Sequence, residues 1–127
     1  MEERLFKETD GIDESSCLLI YEGSYDFYIQ VLETFRKEIG KTMPMMELSL
    51  GEKNWEDYRI LVHGLKGSGG SAGATFLVEL ATQSNQLIRQ GKTEMAEKLH
   101  APIMKELERL YELIGLRLSE WPDKEKK

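Results

Sequence analysis

Cysteine is nearly missing from this 127-residue chain. Cys17 stands alone, so no disulfide can close within the chain. A single thiol beside Leu18 and Leu19 reads as a small core residue rather than a nucleophile. Basic charge is also in short supply, with 17 Lys and Arg against 23 Asp and Glu and a net charge of −6. That balance repels nucleic-acid phosphates and points to protein partners instead. No long apolar run is present, which excludes a membrane-spanning helix. No apolar stretch follows Met1-Glu2-Glu3-Arg4 either, so a signal peptide is not expected and a cytoplasmic location is. Strand-type alternation is absent throughout, and only three prolines interrupt the chain.

What remains is a series of helical stripes in a chain long enough for one domain. Residues 1–12 read as a polar lead-in. Asp13 can cap a short helix carrying Leu18, Leu19 and Tyr21, which Glu22-Gly23 breaks. Ser24 caps a long helix from about 25 to 50. Its apolar stripe Tyr28, Leu32, Phe35, Ile39, Met43, Met46 and Leu50 keeps phase through Gly40 and Pro44. Asn54 caps a third helix reaching about Ser71, with an inner face of Tyr58, Leu61, Leu65, Ser68 and Ala72. A break at Ala72-Gly73 leads into a helix over 74–90 that Gly91 stops. Thr93 caps a closing helix with Leu99, Ile103, Leu107, Leu110 and Ile114 inside, which Pro102 should bend. The expected fold is all-α, an antiparallel up-down four-helix bundle with a short extra N-terminal helix, over residues 13–117. Residues 118–127 read as a solvated tail.

The stretch Val62 to Ala74 breaks the composition of the rest, because it holds one histidine, one lysine and five glycines. Each glycine costs about 1 kcal/mol against alanine in a helix interior, yet the flanking periodicity is helical. His63 lies off the apolar face and shares a stripe with Lys66, Gly67 and Gly70 at i+3, i+4 and i+7. A solvent-facing imidazole offers a nucleophilic ring nitrogen without a dedicated base. The Lys66 stem leans back over His63, where its ammonium can balance phosphoryl charge, and the two glycines leave room for another protein.

His63-x-Leu65-Lys66-Gly67-Ser68 followed by Gly73-Ala74 resembles the signature of histidine-containing phosphotransfer (HPt) domains of two-component phosphorelays. The resemblance implies a four-helix bundle and a phosphoacceptor role for His63 on the nitrogen remote from the backbone. It also implies that Lys66 sits beside the phosphoryl group and that Gly67 and Gly70 give a docking partner clearance. Relatives often carry Gln or Glu twenty-two residues after the histidine, where this chain has the shorter Asn85. Arg89 follows one turn later, where some relatives place a basic residue near the phosphate. Ser84 stands in place of a common leucine, and Gly64 in place of a larger side chain. The implied partners are response-regulator receiver domains and a histidine kinase or hybrid kinase. The Mg²⁺ for transfer is expected from the receiver, with no cofactor and no metal site in this chain. The chain would then be a monomeric carrier and substrate, not an enzyme.

Other chemistries fit less well. A docking-only relative would bind receivers without being phosphorylated, but both His63 and Lys66 are present. Gly69-Gly70-Ser71-Ala72-Gly73 matches the G-x-S-x-G nucleophile elbow of serine hydrolases, which needs a preceding strand that nothing here supplies. Neither phosphate-binding glycine pattern, G-x-x-x-x-G-K-[ST] or G-x-G-x-x-G, occurs. His100 lacks a matching partner, and Met43, Met45 and Met46 read as helix filler.

Overall fold

A computed structural model describes residues 4–121. The described residues form helices joined by turns, with no strand among them. A short 3-10 turn (Glu8–Asp10) precedes α1 (Glu14–Ile20), α2 (Tyr25–Gly51), α3 (Trp55–Ala72), α4 (Thr75–Arg89), α5 (Thr93–Lys98) and α6 (His100–Glu120). None of these helices is long and apolar enough to cross a membrane.

Three of the four expected caps act where the sequence places them; Thr93 does not, because α5 begins at Thr93 itself, with Lys92 at the cap position and no side-chain cap bond. Asp13 accepts from the Ser16 amide, Ser24 from Phe27 and Asn54 from Asp57, each satisfying a first-turn donor that no helix carbonyl can reach. α2 continues through Pro44 as one helix. Both Pro44 and Gly40, whose carbonyl loses its partner, lie on the exposed face, where water replaces the missing bond. The closing helix, expected as a single element from Thr93, is instead two. The Pro102 ring would collide with the carbonyl of Lys98, so α5 ends there and α6 restarts with the proline in its first turn, where no amide donor is needed.

The core gathers Tyr28, Leu32, Phe35 and Ile39 from α2, Tyr58, Val62 and Leu65 from α3, Leu77 and Leu80 from α4, and Ile103, Leu107, Leu110 and Ile114 from α6. α3 packs on α2 and α4, and α6 packs on the same two helices from the other side. On α3 the buried face is Tyr58, Val62, Leu65, Gly69 and Ala72. Leu61 and Ser68, expected inside, are only half-buried. Gly69 accounts for the turn of that face: a side chain there would stand 3.3 Å from Leu77 and 3.5 Å from Val78, so α4 settles against the bare backbone.

Both ends of the expected domain need correction. The lead-in 1–12 is not simply polar, because Leu5, Phe6 and Ile12 are buried. It is pinned by Glu14, itself 1 % exposed, whose oxygens accept from the Leu5 and Phe6 amides at 2.8 and 2.9 Å and from the Tyr25 hydroxyl. Arg117 grips the Asp10 carboxylate with two nitrogens at 2.8 and 3.1 Å, and holds it below the usual carboxylate range. The expected tail also begins too early. Residues 118–120 belong to α6, and the Trp121 ring lies against Tyr25 at 4.7 Å. Residues 1–3 and 122–127 lie outside the described residues.

Candidate functional site

The glycine-rich half of α3 holds together because its end is clamped. Gly73 closes the helix in the left-handed region at φ 87°, and its amide and that of Ala74 return to Gly70 and Gly69 carbonyls. Three side chains take the remaining carbonyls. Tyr28 donates to Ala72 and Tyr21 to Ser71, each at 2.8 Å, with the Cys17 thiol 3.4 Å from the Ser71 oxygen. Burial pushes that thiol up, so Cys17 serves as a core donor. Inside the helix, the Ser68 and Ser71 hydroxyls fold back onto the Gly64 and Gly67 carbonyls.

On this support His63 faces solvent, and no hydrogen bond or ion pair ties it to any described residue. Its outward stripe is Ile60, His63, Gly67 and Gly70. Ile60 is 54 % exposed, and a side chain added at Gly67 or Gly70 would meet nothing within 4 Å. Lys66 is exposed beside the histidine and likewise unpaired among the described residues. The structure therefore brings His63, Lys66, Gly67 and Gly70 onto one open face, as their spacing predicts. That face presents a nucleophilic nitrogen, a neighbouring cation and bare backbone over which a second surface can approach.

Asn85 and Arg89 stand differently. Gly73 turns the chain between α3 and α4, ten residues after His63 and twelve before Asn85. At the helical rise both lie about 15–18 Å along their helices from that turn, and so at similar height. Asn85 is buried, with its side-chain oxygen lacking a partner among the described residues, as does the Ser84 hydroxyl. Arg89 is exposed. No hydrogen bond links either residue to His63 or Lys66.

The remaining candidates resolve plainly. Ser71 lies inside α3, so no strand precedes it and the hydrolase elbow is not built. His100 is structural: its Nδ1 shares a 2.8 Å hydrogen bond with the Tyr58 hydroxyl, and its Nε2 faces Glu47 at 3.4 Å. Among the described residues no group of three or more His, Cys, Asp and Glu is arranged to hold a metal ion. Two residues beside the site were not singled out by spacing. Ile60 escaped because it lies off the apolar stripe. Glu38 escaped because it is on another helix, brought to Gly64 only by packing, with an oxygen 3.9 Å from where a Gly64 side chain would begin.

The family model described as Hpt domain matches residues 30–115, which takes in α3, α4 and α5 whole and most of α2 and α6. No curated protein and no solved structure matches the chain.

Proposed function

The chain belongs to the Hpt domain family, and from that premise we propose that it is a phosphorelay carrier with His63 as the phosphoacceptor. The family indicates a phosphotransfer role in two-component signalling, with kinases and response regulators as partners. The observation that carries the residue assignment is the open face of α3, where His63 stands exposed beside Lys66 with Gly67 and Gly70 bare one and two turns further along the same face.

In the proposed step the Nε2 lone pair of His63 attacks the phosphorus of a receiver phosphoaspartate. The P–N bond forms as the P–O bond to the aspartate breaks, and the carboxylate leaves with the electron pair. The reverse step returns the phosphoryl group to a receiver. Such transfer depends on alignment and charge balance more than on covalent help from the protein. Lys66 supplies a cation to the equatorial oxygens, and Arg89 can add a second from α4. The buried Asn85 side-chain oxygen, without a partner among the described residues and at similar height on α4, supports reading Asn85 as a neighbour of the site. The receiver brings the Mg²⁺, and this chain turns over nothing by itself. Pairwise packing of α2, α3, α4 and α6 supports reading these four as the up-down bundle, with α1 and α5 as additions. A monomer working in the cytoplasm meets every requirement of the mechanism.

Incubation with a phosphorylated receiver domain and Mg²⁺ tests the assignment. Acid-labile, base-stable label on the wild type and none on His63→Gln is the expected result. Receiver binding with no label on the wild type would leave a docking-only module in its place.

A further inference from the structure

His63 and Lys66 are unpaired among the described residues, but the cation one turn before the histidine is held. Arg59, His63 and Lys66 recur at i+4 and i+7, so they form one stripe along α3. The Arg59 guanidinium turns back along the helix to Glu56. Its Nε donates to one carboxylate oxygen at 3.4 Å and its Nη2 to the other at 3.0 Å. That bond holds the Glu56 carboxyl below its usual range. The Glu56 side chain is 68 % exposed in the first turn of α3, where water and salt screen the pair and leave it easy to open. Helical side chains lean toward the N-terminus of their helix, so the His63 imidazole covers the turn that begins at Arg59. A group carried on Nε2 then stands above Arg59, with the Lys66 stem leaning in from the other side. Residues four apart on a helix have Cβ atoms about 5–6 Å from each other, which an arginine side chain easily spans.

We propose that Arg59 is a switched phosphate-binding residue: Glu56 holds it in the unphosphorylated protein, and on phosphorylation it leaves Glu56 and closes on the phosphoryl group of His63. The inference rests on the phosphoacceptor reading and deepens it. A phosphoryl group presents about two negative charges and three acceptor oxygens, against the single charge of Glu56, so the guanidinium gains by the exchange. Only hydrogen bonds and ion pairs change hands. Arg59 therefore stabilises the phosphorylated form, and Glu56 opposes it by competing for the same cation. The balance between the two sets how far the phosphoryl group moves toward His63 or back to a receiver. Neither residue attacks or leaves phosphorus.

The test phosphorylates the full chain with phosphoramidate, from which the His63 nitrogen takes the phosphoryl group as ammonia leaves with the imidazole proton. Nuclear magnetic resonance then follows the Arg59 Nε–H signal and the phosphorus signal against pH. Phosphorylation should shift the Arg59 signal. A nearby cation favours the doubly charged phosphoryl group, so Arg59→Gln should raise the pH at which that group takes up its proton, and Glu56→Gln should lower it. With a receiver and Mg²⁺ present, the equilibrium ratio of label on His63 to label on the receiver should fall roughly threefold to tenfold in Arg59→Gln. It should rise in Glu56→Gln, and the double variant should follow Arg59→Gln, because without the arginine Glu56 has nothing to withhold. An Arg59 signal that phosphorylation leaves in place would overturn the proposal, as would an equilibrium ratio unchanged in Arg59→Gln. If no receiver exchanges label with His63, the phosphoacceptor reading falls, while the two resonance measurements still score Arg59. A chain that phosphoramidate leaves unlabelled at His63 would remove both.

Discussion

Replacing Gly73 with alanine should damage this fold more than any other single methyl added at a turn. Gly73 adopts φ 87°, and an alanine forced into that left-handed region costs about 1–2 kcal/mol. The new methyl would also stand 3.0 Å from both the Asp13 carbonyl oxygen and the Cys17 sulfur, and 3.2 Å from the Asp13 carbonyl carbon. Neither neighbour can retreat cheaply. The Asp13 amide donates to the Gly73 carbonyl at 2.9 Å, its carbonyl accepts from the Cys17 amide in the first turn of α1, and Cys17 is buried. Overpacking of this kind adds about 1–3 kcal/mol, for a total of roughly 2–5 kcal/mol. At about 4 °C per kcal/mol for a domain of this size, the melting temperature should fall by roughly 8–20 °C. Gly91→Ala is the matched control, since Gly91 has φ 76° with nothing within 4 Å, and it should lose only the conformational part. Equilibrium urea unfolding followed by circular dichroism gives both values on one scale. Equal losses in the two variants would refute the claim that α1 is packed against the turn that ends the His63 helix.

Alanine at Gly67 or Gly70 should do the opposite to stability, raising it by about 1 kcal/mol each, because both are exposed helix-interior positions with free space around them. Gly67→Leu should keep that fold and yet slow phosphotransfer from a receiver, and unimpaired transfer would show that the bare face is not the approach route. Acid should unfold the protein partly through Asp10. Its carboxyl is held low chiefly by the hydrogen bond from Arg117, so the stability it contributes is present above about pH 4, the unfolded-state value, and is lost as pH falls through the lower folded value. Asp10→Asn should remove that portion of the slope in unfolding free energy against pH, and an unaltered slope would show that the pair with Arg117 does not couple to folding.

Glycine plays two separate roles within a few residues of α3. Gly69 and Gly73 are structural, since a neighbouring helix occupies the volume a side chain would need. Gly67 and Gly70 face open space, and helix propensity alone would favour another residue there. That contrast supports reading the second pair as clearance for a partner, and it appears only once the helices are packed.

The sequence by itself determined the helices, most of their ends and the open stripe of His63, Lys66, Gly67 and Gly70. Those features depend on local physics: a side chain three residues back to cap a first turn, a glycine to leave a helix, and a period of 3.6 that places four residues on one face. Tertiary packing decided the rest. Which way α3 turns its buried face depended on α4 settling against Gly69, a contact eight residues away across a turn. The break at Leu99 followed from the Pro102 ring against a carbonyl four residues back, where spacing alone allowed a bend. Leu5, Phe6 and Trp121 look like sparse apolar residues in polar ends. They join the fold only because the Glu14 carboxylate collects two amides, Arg117 reaches Asp10 from 107 positions away, and Trp121 finds Tyr25. Glu38 comes to the site in the same way. No periodicity links it to His63, and only the pairing of α2 with α3 sets an unpaired carboxylate beside the residue that follows the histidine.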